Sequence, residues 1–177
     1  MESVGIRGEL IRLVPPDRSL HLENCLRWMN DPRVTATLPR VSGVSRLEEE
    51  TFFDRIESNR DHFVVWCILS EKGQHIGITH LTIDWPMRSA SGGLIIGEPS
   101  AWGKGFATDV VRTRLRFAFD QLNLHRVEGH TFNPAMKKVY EKSGYQHEGT
   151  WRQKIWREGK WHDTDHYAIL ASDPRST

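Results

Sequence analysis

Cysteine is scarce in this 177-residue chain, with Cys25 and Cys67 the whole complement. Both sit in apolar-periodic segments and make no C-x-x-C spacing, so buried thiols in a reducing compartment are expected in place of a disulfide. An excess of either charge is missing as well. Lys and Arg number 24 against 23 Asp and Glu. No net field therefore draws the whole molecule onto a polyanion or an anionic membrane, and any recognition of phosphate must be local. No run approaches the roughly 18 apolar residues of a membrane span, and MESVGIRGEL at the start lacks the basic and apolar regions of a signal peptide. The expectation is a cytoplasmic protein without membrane or nucleic-acid partners. Repeats and low-complexity tracts are absent too. What the chain holds is 38% apolar residues in a length that suits one domain, expected over residues 8–172 with 1–7 and 173–177 as flexible ends.

Periodicity and punctuation order the elements. ELIRLVPP alternates and stops at Pro15-Pro16, as a first strand does. DRSLHLENCLRWMNDP places Leu22, Leu26 and Met29 at helical spacing, with Asp17 or Ser19 as cap and Pro32 beyond the end. VSRLEEETFFDRIE opens a second helix with Ser45 and Glu48 in capping-box relation. HFVVWCILSE and QHIGITHLTIDW read as a hairpin turning at Lys72-Gly73, and GGLIIGE as a short apolar strand. Val111, Leu115, Ala118, Phe119 and Leu122 form the stripe of a third helix. HRVEGHTF is a strand, and NPAMKKVYEKSGY a helix between Asn133 and Gly144. Two last strands flank Glu158-Gly159. The order β-α-α-β-β-β-α-β-α-β-β predicts a mixed sheet with helices on its faces.

GEPSAWGKGFATDVVRTRL, residues 97–115, puts glycines and a lysine just before the third helix. It is not a nucleoside-triphosphate loop, because Gly97 precedes Gly103 by six positions where the motif needs five, and Gly105 stands where it needs Ser or Thr. A dinucleotide fingerprint meets Thr108 where its third glycine belongs. Two readings stay open on the loop alone: a plain turn, or an anion site made by the unpaired amides of a helix start with Lys104 beside them. Asp109 in the first turn would repel a phosphate unless it points away.

These residues resemble the GNAT superfamily of acetyl-CoA-dependent N-acetyltransferases. WGKGFAT is similar to that family's pyrophosphate loop, Q/R-x-x-G-x-G/A, with Trp102 in the Q/R position, Gly105 as the glycine and Ala107 last. NPAMKKVYEKSGYQHEG resembles the N-x-x-x-x-x-x-Y-E-K-x-G-F element after the family's fifth strand. GKWHDTDHYAIL and RWMNDPRV are similar to the branch of ribosomal-protein N-terminal and spermidine acetyltransferases. The resemblance covers roughly Glu9 to Leu170. It implies a mixed α/β fold with a mostly antiparallel seven-stranded sheet, about four flanking helices and a splay between strands 4 and 5. It also implies acetyl-CoA as co-substrate, with no metal. The backbone of Ile95, Ile96 and Gly97 would hold the pantetheine arm. The segment Trp102, Gly103, Lys104, Gly105, Phe106, Ala107 and Thr108 would hold the pyrophosphate, and Asn133 would lie near the pantetheine.

Transfer from a thioester to an amine needs a neutral amine and a proton for the departing thiolate. Tyr140 matches the family's general-acid tyrosine, and a phenol of pKa about 10 stays protonated at neutral pH; spacing alone favours a core pair with Met136. Many relatives carry a glutamate where Ser91 or Gly92 stands here. Neutralising a lysine-like amine at pH 7.4 takes about 4 kcal/mol, an α-amine under about 1. That favours a protein N-terminus or an amino sugar over a polyamine. His130, Glu128, His80 and Asp84 are the candidate bases.

Other constellations point elsewhere. HDTDH carries zinc-ligand types, but on a strand His162 and His166 face away from Asp163 and Asp165. WRQKIWREGKW interleaves aromatic and basic residues, a pattern that hairpin alternation explains as well as nucleic-acid stacking does. The carboxylates of RLEEETFFDRIE suit a cationic, spermidine-like acceptor or a solvated helix face. The acceptor pocket is expected from Asn30–Leu47 and the terminal hairpin. A non-catalytic acyl-CoA sensor is the alternative to an enzyme, and a homodimer is compatible with the sequence.

Overall fold

The computed structural model describes residues 5–39 and 43–174. Residues 1–4, 175–177 and the stretch 40–42 of the expected acceptor loop lie outside the described residues. Helix α1 (Arg18–Met29) starts where Asp17 accepts from the amides of Ser19 and Leu20. The helix α3 (Arg46–Ser58) starts with Ser45 and Glu48 bonded reciprocally. Between them lies a helix the sequence reading missed, α2 (Pro32–Thr35), capped by Asp31. Asp-Pro opens a helix as readily as it closes the previous one, because proline at the first helical position gives up only an amide that would be unpaired anyway.

Eight strands form one sheet among the described residues: β1 (Ile6–Arg7), β2 (Ile11–Val14), β3 (Phe63–Ser70), β4 (His75–Asp84), β5 (Ser89–Ile96), β6 (Arg126–Thr131), β7 (Gln146–Arg157) and β8 (Lys160–Leu170). Their spatial order is β1-β2-β3-β4-β5-β6-β8-β7. The strand beyond the expected seven is β1. Ile6 and Arg7, expected ahead of the folded unit, pair with Leu13 and Arg12 of β2. The two hairpin turns expected at Lys72-Gly73 and Glu158-Gly159 fall there, and Glu158 and Gly159 both take positive φ, as a two-residue turn matching the strand twist requires.

Strand alternation sorts the apolar residues onto two faces. Trp66 and Ile68 of β3, Leu81 and Ile83 of β4 and Val127 of β6 share the main core with Val110, Val111 and Leu115 of α4 (Phe106–Arg116) and Tyr140 of α5 (Pro134–Lys142). Phe63, Val65 and Ile78 point the other way, toward Phe53 and Ile56 of α3, with Trp28 of α1 beyond. A π-helical turn, Phe117–Gln121, follows α4 and keeps Ala118 and Phe119 buried where a continuous helix to Leu122 was expected.

Asp109 holds the edge of this frame. Its buried carboxylate accepts from the amides of Glu9 (3.1 Å), Leu10 (2.7 Å) and Ile11 (3.1 Å), tying the β1–β2 turn to α4. Replacing it with alanine strands three donors at once. With hydrogen bonds to a charged group worth about 1.5–3 kcal/mol each and partly shared, Asp109→Ala is expected to destabilise the fold by about 3 kcal/mol. A urea midpoint unchanged from the parent protein would refute this.

Candidate active site

The sheet opens at one point. β5 and β6 run parallel and pair only from Ser89–Ser91 against Arg126–Glu128. Beyond that, Gly92–Ile96 has β4 alone as a strand neighbour, while β6 continues along β8. The edge facing the gap is a row of main-chain groups without a ladder partner. One of them is claimed locally: Trp102 folds back to donate from Nε1 to the Ile96 carbonyl at 2.7 Å, while on the other side the Gly97 amide extends the pairing with β4 by donating to Ile76 at 2.9 Å. Gly97 also lies against the Trp28 ring, where a Cβ would come within 2.0 Å of it.

At the end of that edge a 3₁₀ turn, Pro99–Ala101, leads into the glycine loop. Gly103 and Gly105 take φ of +74° and +85°, and Gly105 is the left-handed N-cap of α4. No side chain caps this helix, so the amides of its first turn are free of side-chain acceptors. The carboxylate that threatened an anion here is Asp109, and it is turned to the β1–β2 amides instead. Lys104 is exposed beside the opening. Uncapped donors, a local cation and no competing anion make the loop fit a diphosphate.

Two glycines stand at the mouth of the splay, each the next residue after a paired position. A Cβ on Gly129 would lie 2.1 Å from the Tyr140 hydroxyl, and one on Gly92 would lie 2.5 Å from Cζ and Nη2 of Arg114. Tyr140 from α5 and Arg114 from α4 thus bring their polar ends to the same opening, on the face that carries both helices. Tyr140 is buried against the rings of Tyr145 and Tyr167. Burial raises its phenol above the ordinary value, and the Arg114 charge opposes that rise. The Tyr145 phenol is pushed up to about 12 by burial. Arg114 is 0% exposed. Its Nη1 donates to Thr79 Oγ1 (2.8 Å) and to the carbonyls of Gly93 (2.7 Å) and His80 (3.1 Å), while among the described residues Nε and Nη2 make no hydrogen bond of good geometry, with the Tyr145 hydroxyl, itself unbonded, as a near neighbour.

The opposite face of the splay carries a groove of about 450 Å³ lined by His62, Asp84, Trp85, Ser91 and Glu128. Ser91 and Glu128 are register partners in parallel strands, so their side chains project to the same side. Glu128 pairs with Arg126 at 3.2 Å. His130, also on this face, stacks on His166 at 5.8 Å, which in turn packs on Trp151 at 4.1 Å. Burial, then the neighbouring His166, lowers the His130 imidazole.

The family model for the acetyltransferase (GNAT) domain matches residues 11–146. The chain belongs to the GNAT family. Among its curated relatives, spermidine N(1)-acetyltransferase from Vibrio cholerae is 31% identical over 127 residues, 70% of this chain and 72% of that protein. A probable N-acetyltransferase, YjcK of Bacillus subtilis, is 38% identical over 73 residues, with the match spanning 40% of each chain. The crystal structure of spermidine N-acetyltransferase from Vibrio cholerae in complex with CoA and spermine superposes with a TM-score of 0.85 at 25% identity, covering 92% of this chain and 96% of that one.

Within this GNAT fold the expected site residues divide. Ile95, Ile96 and the segment from Trp102 to Thr108 line one continuous run from splay to helix start. Asn133 caps α5, accepting from Ala135 at 2.9 Å and donating to Thr37 at 3.1 Å, so its amide is already engaged. His80 packs on Phe63 and against Gly93, and burial lowers its imidazole to about 4. The HDTDH residues scatter: Asp163 accepts from the Gln153 amide, Asp165 pairs with Lys137, and His162 packs on Phe132. No group of three or more His, Cys, Asp or Glu is placed to hold a metal among the described residues. Arg114 escaped the sequence reading. Its signal was present, since a cation four residues from both Val110 and Ala118 sits inside the apolar stripe of α4.

Proposed function

We propose that this GNAT protein transfers the acetyl group of acetyl-CoA to the primary amine of a small cationic acceptor. The observation that carries this is the pairing of chemistry across the splay: a phenol on the helix side and a carboxylate on the groove side of the same opening. The α4 N-terminus and Lys104 would hold the diphosphate, and the free edge of β5 the pantetheine arm, which supplies an activated acyl group. Glu128 takes the proton of the incoming amine, directly or through water, with His130 adjacent on β6. Tyr140 gives its proton to the departing sulfur.

The absence of a carboxylate at Ser91 and Gly92 of β5 by itself favours an α-amine or amino sugar. Glu128, one strand over and beside Ser91, offers a carboxylate on that face, so a strongly basic amine regains a base. Asp84, Glu128 and the Trp85 ring also suit a cation, and the named relatives include a spermidine acetyltransferase. The test is coenzyme A release with spermidine, spermine, an amino sugar, an aminoglycoside and N-terminal peptides. Glu128→Gln is expected to lower kcat/KM for the best acceptor about 10²-fold with unchanged calorimetric affinity for coenzyme A. A second reading, an acyl-CoA sensor, draws on the absent β5 carboxylate. Thermal stabilisation by coenzyme A without turnover of any amine selects it.

A further inference from the structure

We infer that Arg114 is a positioning residue for the proton-transfer step, its buried guanidinium stabilising the negative charge left on Tyr140. The inference rests on the acetyl-transfer reading above and deepens it. The geometry begins from an anomaly. A guanidinium removed from water is costly unless an anion or a full set of acceptors compensates. Arg114 is wholly buried, pairs with no carboxylate among the described residues, and leaves Nε and Nη2 without a geometrically sound bond there, the nearby Tyr145 phenol being neutral and equally unbonded. The compensating charge is one that exists only during the reaction.

The strands show where that charge arises. Ser91 and Glu128 are the last paired positions of β5 and β6, and the next residues are Gly92, over Arg114, and Gly129, over Tyr140. Both glycines leave room where a side chain would separate these two polar heads. Glycine inside a strand marks such a close approach. In the step itself, the amine nitrogen bonds to the acyl carbon as the carbon–sulfur bond breaks. The amine proton passes to the Glu128 side, and the phenolic proton of Tyr140 passes to sulfur. A phenolate remains, later reprotonated from water. Bonds to Thr79 and to the carbonyls of Gly93 and His80 fix the guanidinium beforehand, so no reorganisation is needed when the charge appears.

The experiment is a double-mutant cycle on the full chain. Arg114→Met and Arg114→Lys are made in the parent and in Tyr140→Phe, with kcat, KM for acetyl-CoA and melting temperature measured for each. Arg114→Met is expected to lower kcat about tenfold, the effect of one unit of acid strength, with KM unchanged and most of the rate restored by lysine. In the Tyr140→Phe background the same substitution should cost nothing more. Equal losses in both backgrounds, or a parent-like kcat for Arg114→Met, overturn the inference. Should the Met variant not fold, Arg114→Gln takes its place: it removes the charge but keeps an amide donor, and full activity there is equally fatal. Turnover by the parent with loss in Tyr140→Phe upholds the acetyl-transfer reading on its own, so an indifferent Arg114 would refute only the present inference.

Discussion

Tyr140→Phe is expected to lower kcat about 10³-fold, within the range that a positioned general acid contributes, while the melting temperature stays the same or rises slightly. The combination follows from what the hydroxyl does in the resting protein. None of the hydrogen bonds among the described residues involves it, and it is not fully enclosed as the unbonded Tyr145 hydroxyl beside it is, so its removal leaves no donor or acceptor behind. The ring keeps its contacts with Tyr145 and Tyr167. Deleting a buried polar group that has no partner is neutral or stabilising. Loss of about 4 kcal/mol of transition-state stabilisation beside an unmoved unfolding curve would separate a working phenol from a core aromatic, the two roles that an i, i+4 pair with Met136 leaves open. Steady-state coenzyme A release and calorimetric unfolding of one preparation decide it. A kcat within twofold of the parent would remove Tyr140 from the chemistry.

What the chain announces in sequence is local. The Ser45–Glu48 capping box, the Asn133-Pro134 helix start, the Lys72-Gly73 and Glu158-Gly159 turns and the glycine loop before Phe106 each depend on residues a few positions apart, and the structure forms all of them. Short elements were lost where a stronger signal overlapped them: α2 begins with the proline that appeared only to end α1, and β1 is two residues long. The proposed catalytic arrangement is legible in part. Tyr140 and the loop are contiguous motifs, so a resemblance carries them. The Ser91–Glu128 partnership, the Gly92–Arg114 contact and the direction taken by Asp109 depend on strand register and helix rotation, which no short window contains. The register also explains how a carboxylate absent from one strand is met by one on the next.

Gly129→Ala is expected to abolish most of the activity without removing any functional group. A Cβ at this position would lie 2.1 Å from the Tyr140 oxygen and 2.6 Å from its Cζ, well inside contact distance. The ring has little room to retreat, since Tyr145 and Tyr167 flank it with centroids 4.8 and 5.3 Å away. The hydroxyl must therefore leave the splay mouth, and a misplacement of about 1 Å is enough to lose about 10²-fold in rate. Overpacking should also cost about 1–3 kcal/mol of stability, in contrast to Tyr140→Phe, which should cost none. The decisive comparison is the double variant: once the phenyl ring at 140 has no oxygen, adding Gly129→Ala should not reduce kcat further, because the group it displaces is already gone. A parent-like rate for Gly129→Ala alone would mean that the phenol does its work from some other position than the one it holds beside Gly129. In that case the opening between β5 and β6 would no longer be the place where the leaving group receives its proton.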